Sequence, residues 1–200
     1  MEIVSEHCRA SFALTKLSKF NVMTVKELYR IFLHKFKPIK YAEKVGVNFT
    51  KGELHLYGNV EWSTEPWIIS IGKNVHITNG VKFITHDGGT LLFRKEIPDL
   101  EITKPITVGN DVYIGNDAII LPGVNIGNRV VIGAGAVVSK DIPDNSVAVG
   151  VPARVIKTAD EYLEKLKRES LHVGDLSGEE KDSKLKEIFG YSGNSKGIYF

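Results

Sequence analysis

The sequence is poor in the features that would settle its class at once. Among its 200 residues there is one cysteine, Cys8, so no internal disulfide can form and none is required. No apolar run approaches the roughly 20 residues that a membrane-spanning helix needs. Neither sign of charge dominates: 26 Lys and Arg face 24 Asp and Glu, a net charge of +2. That balance offers no strong field toward nucleic acid or an anionic membrane. The N-terminal stretch MEIVSEHCRASFALTKL carries acidic residues early and lacks a clean apolar core, so it does not read as a signal peptide. The expected location is therefore cytoplasmic. Hydrophobic residues make up 42% and charged residues 25%, which suits a globular domain with appendages.

What the sequence does have is a period. From Ile106 to Lys140 the chain reads ITVGNDVYIGNDAIILPGVNIGNRVVIGAGAVVSK. Val108, Ile114, Ile120, Ile126, Ile132 and Val138 recur every six residues, and all are β-branched. Four residues beyond the anchors come Val112, Ala118, Val124, Val130 and Ala136, all small and apolar. Helices repeat at three or four residues and flat strands at two, so a six-residue period fits neither. It fits a short strand followed by a tight turn, in which Gly, Asn or Asp tolerates positive φ. Three such units close one triangular coil, and coils stack as parallel strands about 4.8 Å apart.

The remaining chain is read around this repeat. Thr24–Phe36 forms an amphipathic helix with Val25, Leu28, Ile31, Phe32 and Phe36 on one face, capped by Thr24 and Glu27 and stopped by Pro38. It is expected to cover the open first coil. Tyr41–Val60 reads as irregular first coils, and Trp62–Trp67 as a turn whose two aromatics suit a subunit contact. Ile71, Ile77 and Phe83 resume the period. The next anchor, Val108, lies 25 residues on rather than six, so an excursion about 19 residues beyond the regular unit interrupts the coil, within roughly 84–105; insertions of this kind often carry function. Asp141–Pro152 leaves the coil, with Val147 and Val149 pairing on its last turn. Ala159–Ser170 and Gly178–Phe189 read as helices, and the tail from Gly190 is Gly- and Ser-rich. The expected division is an N-terminal helical cap at 1–40, the coil at 41–157 and a helical tail at 158–200.

VGNDVYIGNDAIILPGVNIGNRVVIGAGAVVSKDIP followed by VAVGVPARVIK resembles the hexapeptide acyltransferases, in the branch of galactoside, maltose and capsular-polysaccharide acetyltransferases. The resemblance spans about Ile69 to Lys157. It implies a left-handed parallel β-helix, a homotrimer with active sites between subunits, acetyl-CoA as donor, a sugar or nucleotide-sugar as acceptor, and no metal, nucleic acid or integral membrane segment.

Acyl transfer to a hydroxyl needs a base, and histidine, with an ordinary pKa of about 6.5, is the usual choice. His86 alone stands where the repeat opens into the excursion, and the resemblance implies that it is the catalytic base. Asp87 either orients the imidazole, contacts the acceptor, or forms a turn before Gly88-Gly89. The sugar branches often carry His-Pro here, where this chain has His-Asp-Gly-Gly. The resemblance further implies that Tyr113 and Asn116 lie near the thioester, Ala134, Ser139 and Lys140 along the pantetheine arm, and Arg154 and Lys157 at the phosphates. Most relatives carry Trp in place of Tyr113 and Ser or a similar residue in place of Asn116. Cys8 lies outside the repeat, so direct attack in a ternary complex is expected rather than an acyl-enzyme. The THDGG and FRKEIPD stretches resemble members encoded with capsule and lipopolysaccharide synthesis. N-acetylation of an amino sugar is the alternative within the class. A zinc lyase, requiring His55, His76 and His86 to converge on a metal, is the alternative outside it.

Overall fold

The structure is a computed structural model that describes residues 24–193. Cys8, the stretch 1–22 and the end of the tail lie outside the described residues. In chain order the helices are α1 (Val25–Phe36), α2 (Pro38–Val45), α3 (Thr90–Phe93), α4 (Ala159–Glu169) and α5 (Gly178–Ile188). The strands are β1 (Asn48–Phe49), β2 (Leu54–Tyr57), β3 (Ile69–Ile71), β4 (Val75–Thr78), β5 (Lys82–Phe83), β6 (Ile106–Val108), β7 (Val112–Ile114), β8 (Ile119–Ile120), β9 (Asn125–Ile126), β10 (Val130–Ile132), β11 (Val137–Val138), β12 (Ser146–Val149) and β13 (Arg154–Thr158).

Consecutive strands from β3 to β11 visit three sheets in rotation. The first sheet orders β1-β3-β6-β9, the second β13-β12-β10-β7-β4-β2 and the third β11-β8-β5. All pairings are parallel except that of β12 with β13. This is a three-faced coil. Val112 pairs with Val130 and Ile119 with Val137, an offset of three hexapeptides. The first coil is longer, because Leu54 pairs with Val75.

The six anchors fill the interior at 2% exposure or less. Ile71, Ile77, Phe83, Val75 and Val81 continue that core upward. Glycine after the anchors answers a demand other than positive φ. A Cβ at Gly109 would lie 2.7 Å from the backbone of Gly127 in the next coil, so close stacking excludes a side chain there. Positive φ falls instead on Asp111, Asp117, Arg129 and Asn145. The turns are stitched by side chains: Asn110 Oδ1 accepts from Lys73 N at 2.8 Å, Asn128 Oδ1 from Asn110 N at 2.9 Å, and Asp144 Oδ1 from Asn128 N at 2.7 Å.

Several local expectations change. The Thr24–Glu27 capping box forms, and α1 ends before Pro38. Tyr41–Val45, however, is helical, because Pro38 opens α2 at its first turn. It is α2, with Ala42 buried and Ile39, Tyr41 and Val45 packed on the core, that covers the first coil. The apolar face of α1 is exposed. Trp62 is not at the surface: it is buried and stacks on Phe83 at 5.0 Å, whereas Trp67 is exposed. Residues 154–158, read only as basic, form β13 antiparallel to β12.

Replacing Ile126, 2% exposed, with Asp puts an unpaired carboxylate in the anchor column. The expected cost is roughly 3–5 kcal/mol. Thermal unfolding should show loss of the cooperative transition; an unchanged melting temperature would contradict the inward placement of this anchor.

Candidate active site

The excursion leaves the coil after β5 and returns at β6. Its base is closed by backbone bonds from Asp87 N to Ile102 O at 2.9 Å and from Lys104 N to Thr85 O at 2.8 Å. His86 sits in this clasp, in an antiparallel bridge with Thr103.

The imidazole is held from the coil beneath. His86 Nδ1 lies 3.0 Å from Glu65 Oε2 and 3.2 Å from Thr64 Oγ1. A carboxylate only accepts, so Nδ1 carries the proton and donates it to Glu65. In the neutral ring the lone pair then resides on Nε2, which makes Nε2 a base. Glu65 is itself fixed by the hydroxyls of Thr64, donating to Oε1 at 2.6 Å, and Thr85, donating to Oε2 at 2.6 Å. Those two bonds, with help from His86 and against partial burial, hold the Glu65 carboxyl at about 2, below its usual 4.5. Sequence reading missed Glu65. The signal was the register of the first coil: Glu61 bridges Lys82, and the same offset carries Glu65 to His86.

Asp87 makes no side-chain hydrogen bond or ion pair to the imidazole. Its Oδ1 accepts from Gly89 N at 2.9 Å, the turn-forming role. Two hollows meet at His86 and Asp87. One, of about 480 Å³, runs past Lys104, Leu121, Pro122 and Ser139. Ile84, Leu121 and Ser139 follow the paired residues Phe83, Ile120 and Val138, so they stack on three successive coils and form its wall. The other, of about 240 Å³, lies under the excursion and is lined mainly by polar residues, among them Thr64, Glu65, Thr90, Arg94 and Glu101. Arg94 donates to Leu100 O at 3.1 Å and to Glu101.

The remaining sequence candidates divide between two parts of the coil. Ser139 and the adjacent Lys140 lie on the His86 corner. Asn116 and Ala134 lie on the corner between the second and third sheets, where Gly80 N, Asp117 N and Gly135 N bond to Asn59 O, Asn79 O and Asn116 O, so that Asn59, Asn79, Asn116 and Ala134 form one column. Asn116 borders a third hollow of about 650 Å³ with Leu56, Tyr57 and Thr78. Tyr113 is in register with His76 on the second sheet, and Arg154 and Lys157 are on β13 at the end of that sheet. The two groups thus occupy different corners and faces of the coil.

The histidines of the lyase alternative do not converge. His55 stacks on His76 at 4.5 Å, His76 bonds Tyr57 and Asn74, and His86 bonds Glu65. Burial, and then His55, push His76 below the usual histidine range. Among the described residues no three His, Cys, Asp or Glu side chains are grouped to hold a metal ion.

A three-faced coil of hexapeptides interrupted beside a braced histidine defines a class, and comparison with known proteins agrees with it. The family model described as bacterial transferase hexapeptide (six repeats) matches residues 105–140. The chain is 48% identical over 128 residues to Protein CapG of Staphylococcus aureus, covering 64% of this chain and 74% of that protein. It is 52% identical over 125 residues to galactoside O-acetyltransferase of Escherichia coli K12, covering 50% of this chain and 62%, less than two thirds, of that protein. A solved maltose O-acetyltransferase from Clostridium difficile 630 superposes with a TM-score of 0.51 at 29% identity, covering 66% of this chain and 83% of that one. This chain belongs to the hexapeptide-repeat acetyltransferase family.

The Glu65 brace has a measurable signature. Its folded pKa is depressed, so its stabilisation is complete above the usual carboxylate range and is lost as pH falls through about 2. Carboxyl carbon shifts should titrate Glu65 near that value. Thr85→Val removes one donor and should move the midpoint upward; an unmoved midpoint would mean that Thr85 does not hold the carboxylate.

Proposed function

We propose that this chain is an acetyl-CoA-dependent acetyltransferase that acetylates a sugar hydroxyl in surface polysaccharide synthesis, with His86 as general base. The observation that carries the reading is the Glu65–His86 pair at the junction of two hollows. The family relatives named as galactoside and maltose O-acetyltransferases support the reaction and a sugar acceptor. The family likewise supports a left-handed coil and a cytoplasmic setting; no helix among the described residues is long and apolar enough to cross a membrane.

Acetyl-CoA supplies an activated thioester carbonyl. The hollow along Ile84, Leu121 and Ser139 suits the long pantetheine arm, because three stacked coil edges make a straight, narrow wall. The second hollow, lined mainly by polar residues, suits an acceptor bearing several hydroxyls. His86 Nε2 takes the acceptor's proton as its oxygen attacks, and returns a proton to the departing thiol. Ionised Glu65 stabilises the positive imidazole between those events. Asp87 supports the turn that holds His86 and lines both hollows.

The split of the cofactor candidates supports a homotrimer. Tyr113, Asn116, Ala134, Arg154 and Lys157 of one protomer meet His86, Ser139 and Lys140 of its neighbour, so that the site is completed between subunits. Leu91, Leu92, Phe93 and Ile97, exposed on the excursion, are suited to reach across. Light scattering should give about three times 22.2 kDa; a monomer at micromolar concentration would refute this assembly.

His86→Ala should lower kcat by roughly 10²–10⁴-fold, the usual contribution of a general base. Acetyl-CoA should still raise the melting temperature of the variant, since the donor is gripped by the coil edge. Release of CoA against a panel of sugars and amino sugars measures the rate and identifies the acceptor. Near wild-type turnover in a folded variant would remove His86 from the role of base.

A further inference from the structure

The helix α1 is inside out. Leu33 is buried and His34 Nε2 lies 3.1 Å from Val60 O, which marks the side facing the body of the protein. Val25, Leu28, Ile31, Phe32 and Phe36 occupy the opposite arc and are 48–82% exposed. An apolar arc of this width on a capped helix is a docking surface in want of a partner.

Charge indicates the partner. Residues 24–46 carry Lys26, Arg30, Lys35, Lys37, Lys40 and Lys44 against Glu27 and Glu43 only, a local charge of +4 in a chain whose total is +2. All six cations are exposed. Glu27 is taken up by the capping box and Glu43 by Lys51. Two cations lie against the aromatics: Lys35 Nζ is 5.6 Å from the Phe36 ring centre and Lys44 Nζ 4.4 Å from that of Tyr29. Long basic side chains flanking an apolar arc can reach phosphate groups while the rings enter the acyl boundary.

A second copy meeting this surface across a two-fold axis would press the same cations together. The preceding residues 1–23 hold Arg9, Lys16 and Lys19 against Glu2 and Glu6, so they bring no excess of negative charge. We propose that α1, with the basic residues around it, is an interfacial helix that docks this protein on an anionic phospholipid surface without spanning it. The near-neutral charge of the whole chain conceals this segment. The helix preceding the coil is joined through α2 to Trp67, whose Cβ lies 3.5 Å from the Cβ position of Gly46, two residues from Glu65.

The test is sedimentation of the full chain with vesicles of phosphatidylglycerol and phosphatidylcholine in roughly a one-to-two ratio. Binding should be at least about tenfold stronger than to phosphatidylcholine alone and should weaken in about 0.5 M salt, where screening is short-ranged. The paired substitutions Phe32→Glu and Phe36→Glu should reduce it by at least about tenfold. Lys35→Glu with Lys37→Glu should remove the preference for anionic lipid. Because these side chains project outward, the variants should keep the wild-type melting temperature and the turnover of a soluble acceptor. His86→Ala should do the reverse, losing turnover and keeping the vesicles, so the two readings fail separately. Absence of binding to anionic vesicles would overturn the proposal. So would a Phe32→Glu, Phe36→Glu variant that still binds them while its mass or melting temperature changes, since the face would then serve another copy or the chain's own N-terminal residues.

Discussion

The structure depends on one constraint: each coil must lie directly on the last at the spacing of a parallel sheet. The inward anchors meet that constraint by filling a column of nearly constant width. Gly109 and Gly127 meet it by offering no Cβ where backbone approaches backbone. Asn110, Asn128 and Asp144 meet it by bonding the turn of the neighbouring coil. A residue's position in the coil thus fixes its neighbour one coil away, whatever their distance in sequence.

The candidate site inherits its precision from that rule. Glu65 and His86 meet because the first coil places them in the same column. The brace requires a rigid donor set, and the coil provides it through Thr64 and Thr85. The excursion contributes the second hollow, and its base is clasped to coil residues, so the backbone of the histidine is fixed to the coil. A corner that is stiff on one side and open on the other suits a base that must be held in one tautomer while admitting two substrates.

Much of this was legible from the repeat. Period and β-branching specified which residues turn inward, and the break in phase located His86. Glu65 was hidden because its coil is longer than the others, so counting in sixes does not reach it. Trp62 was misplaced because its partner Phe83 belongs to the next coil, and a turn read alone does not reveal its stack. Tyr41–Val45 reads as strand only if Pro38 ends all helix, whereas a proline at the first turn opens α2. The face of α1 was correctly drawn, but amphipathicity gives no direction: the same arc serves a core or a surface outside the molecule. The separation of Asn116 and Ala134 from Ser139 and Lys140 follows from the corner each occupies, which the period specifies once three sheets are assumed.

The reversed direction of β13 bears on the life of the protein at high concentration. A stack of parallel coils has no natural end, and its last open edge would accept the first strand of another molecule. At one end α2 lies across the first coil. At the other, β13 runs against the grain of the second sheet, while Asp160 of α4 pairs with Arg129 and accepts from Asn145. A strand of the wrong polarity cannot template the next parallel coil. The solenoid is thereby kept finite, and a chain cut before Arg154 would present the edge from which fibres grow.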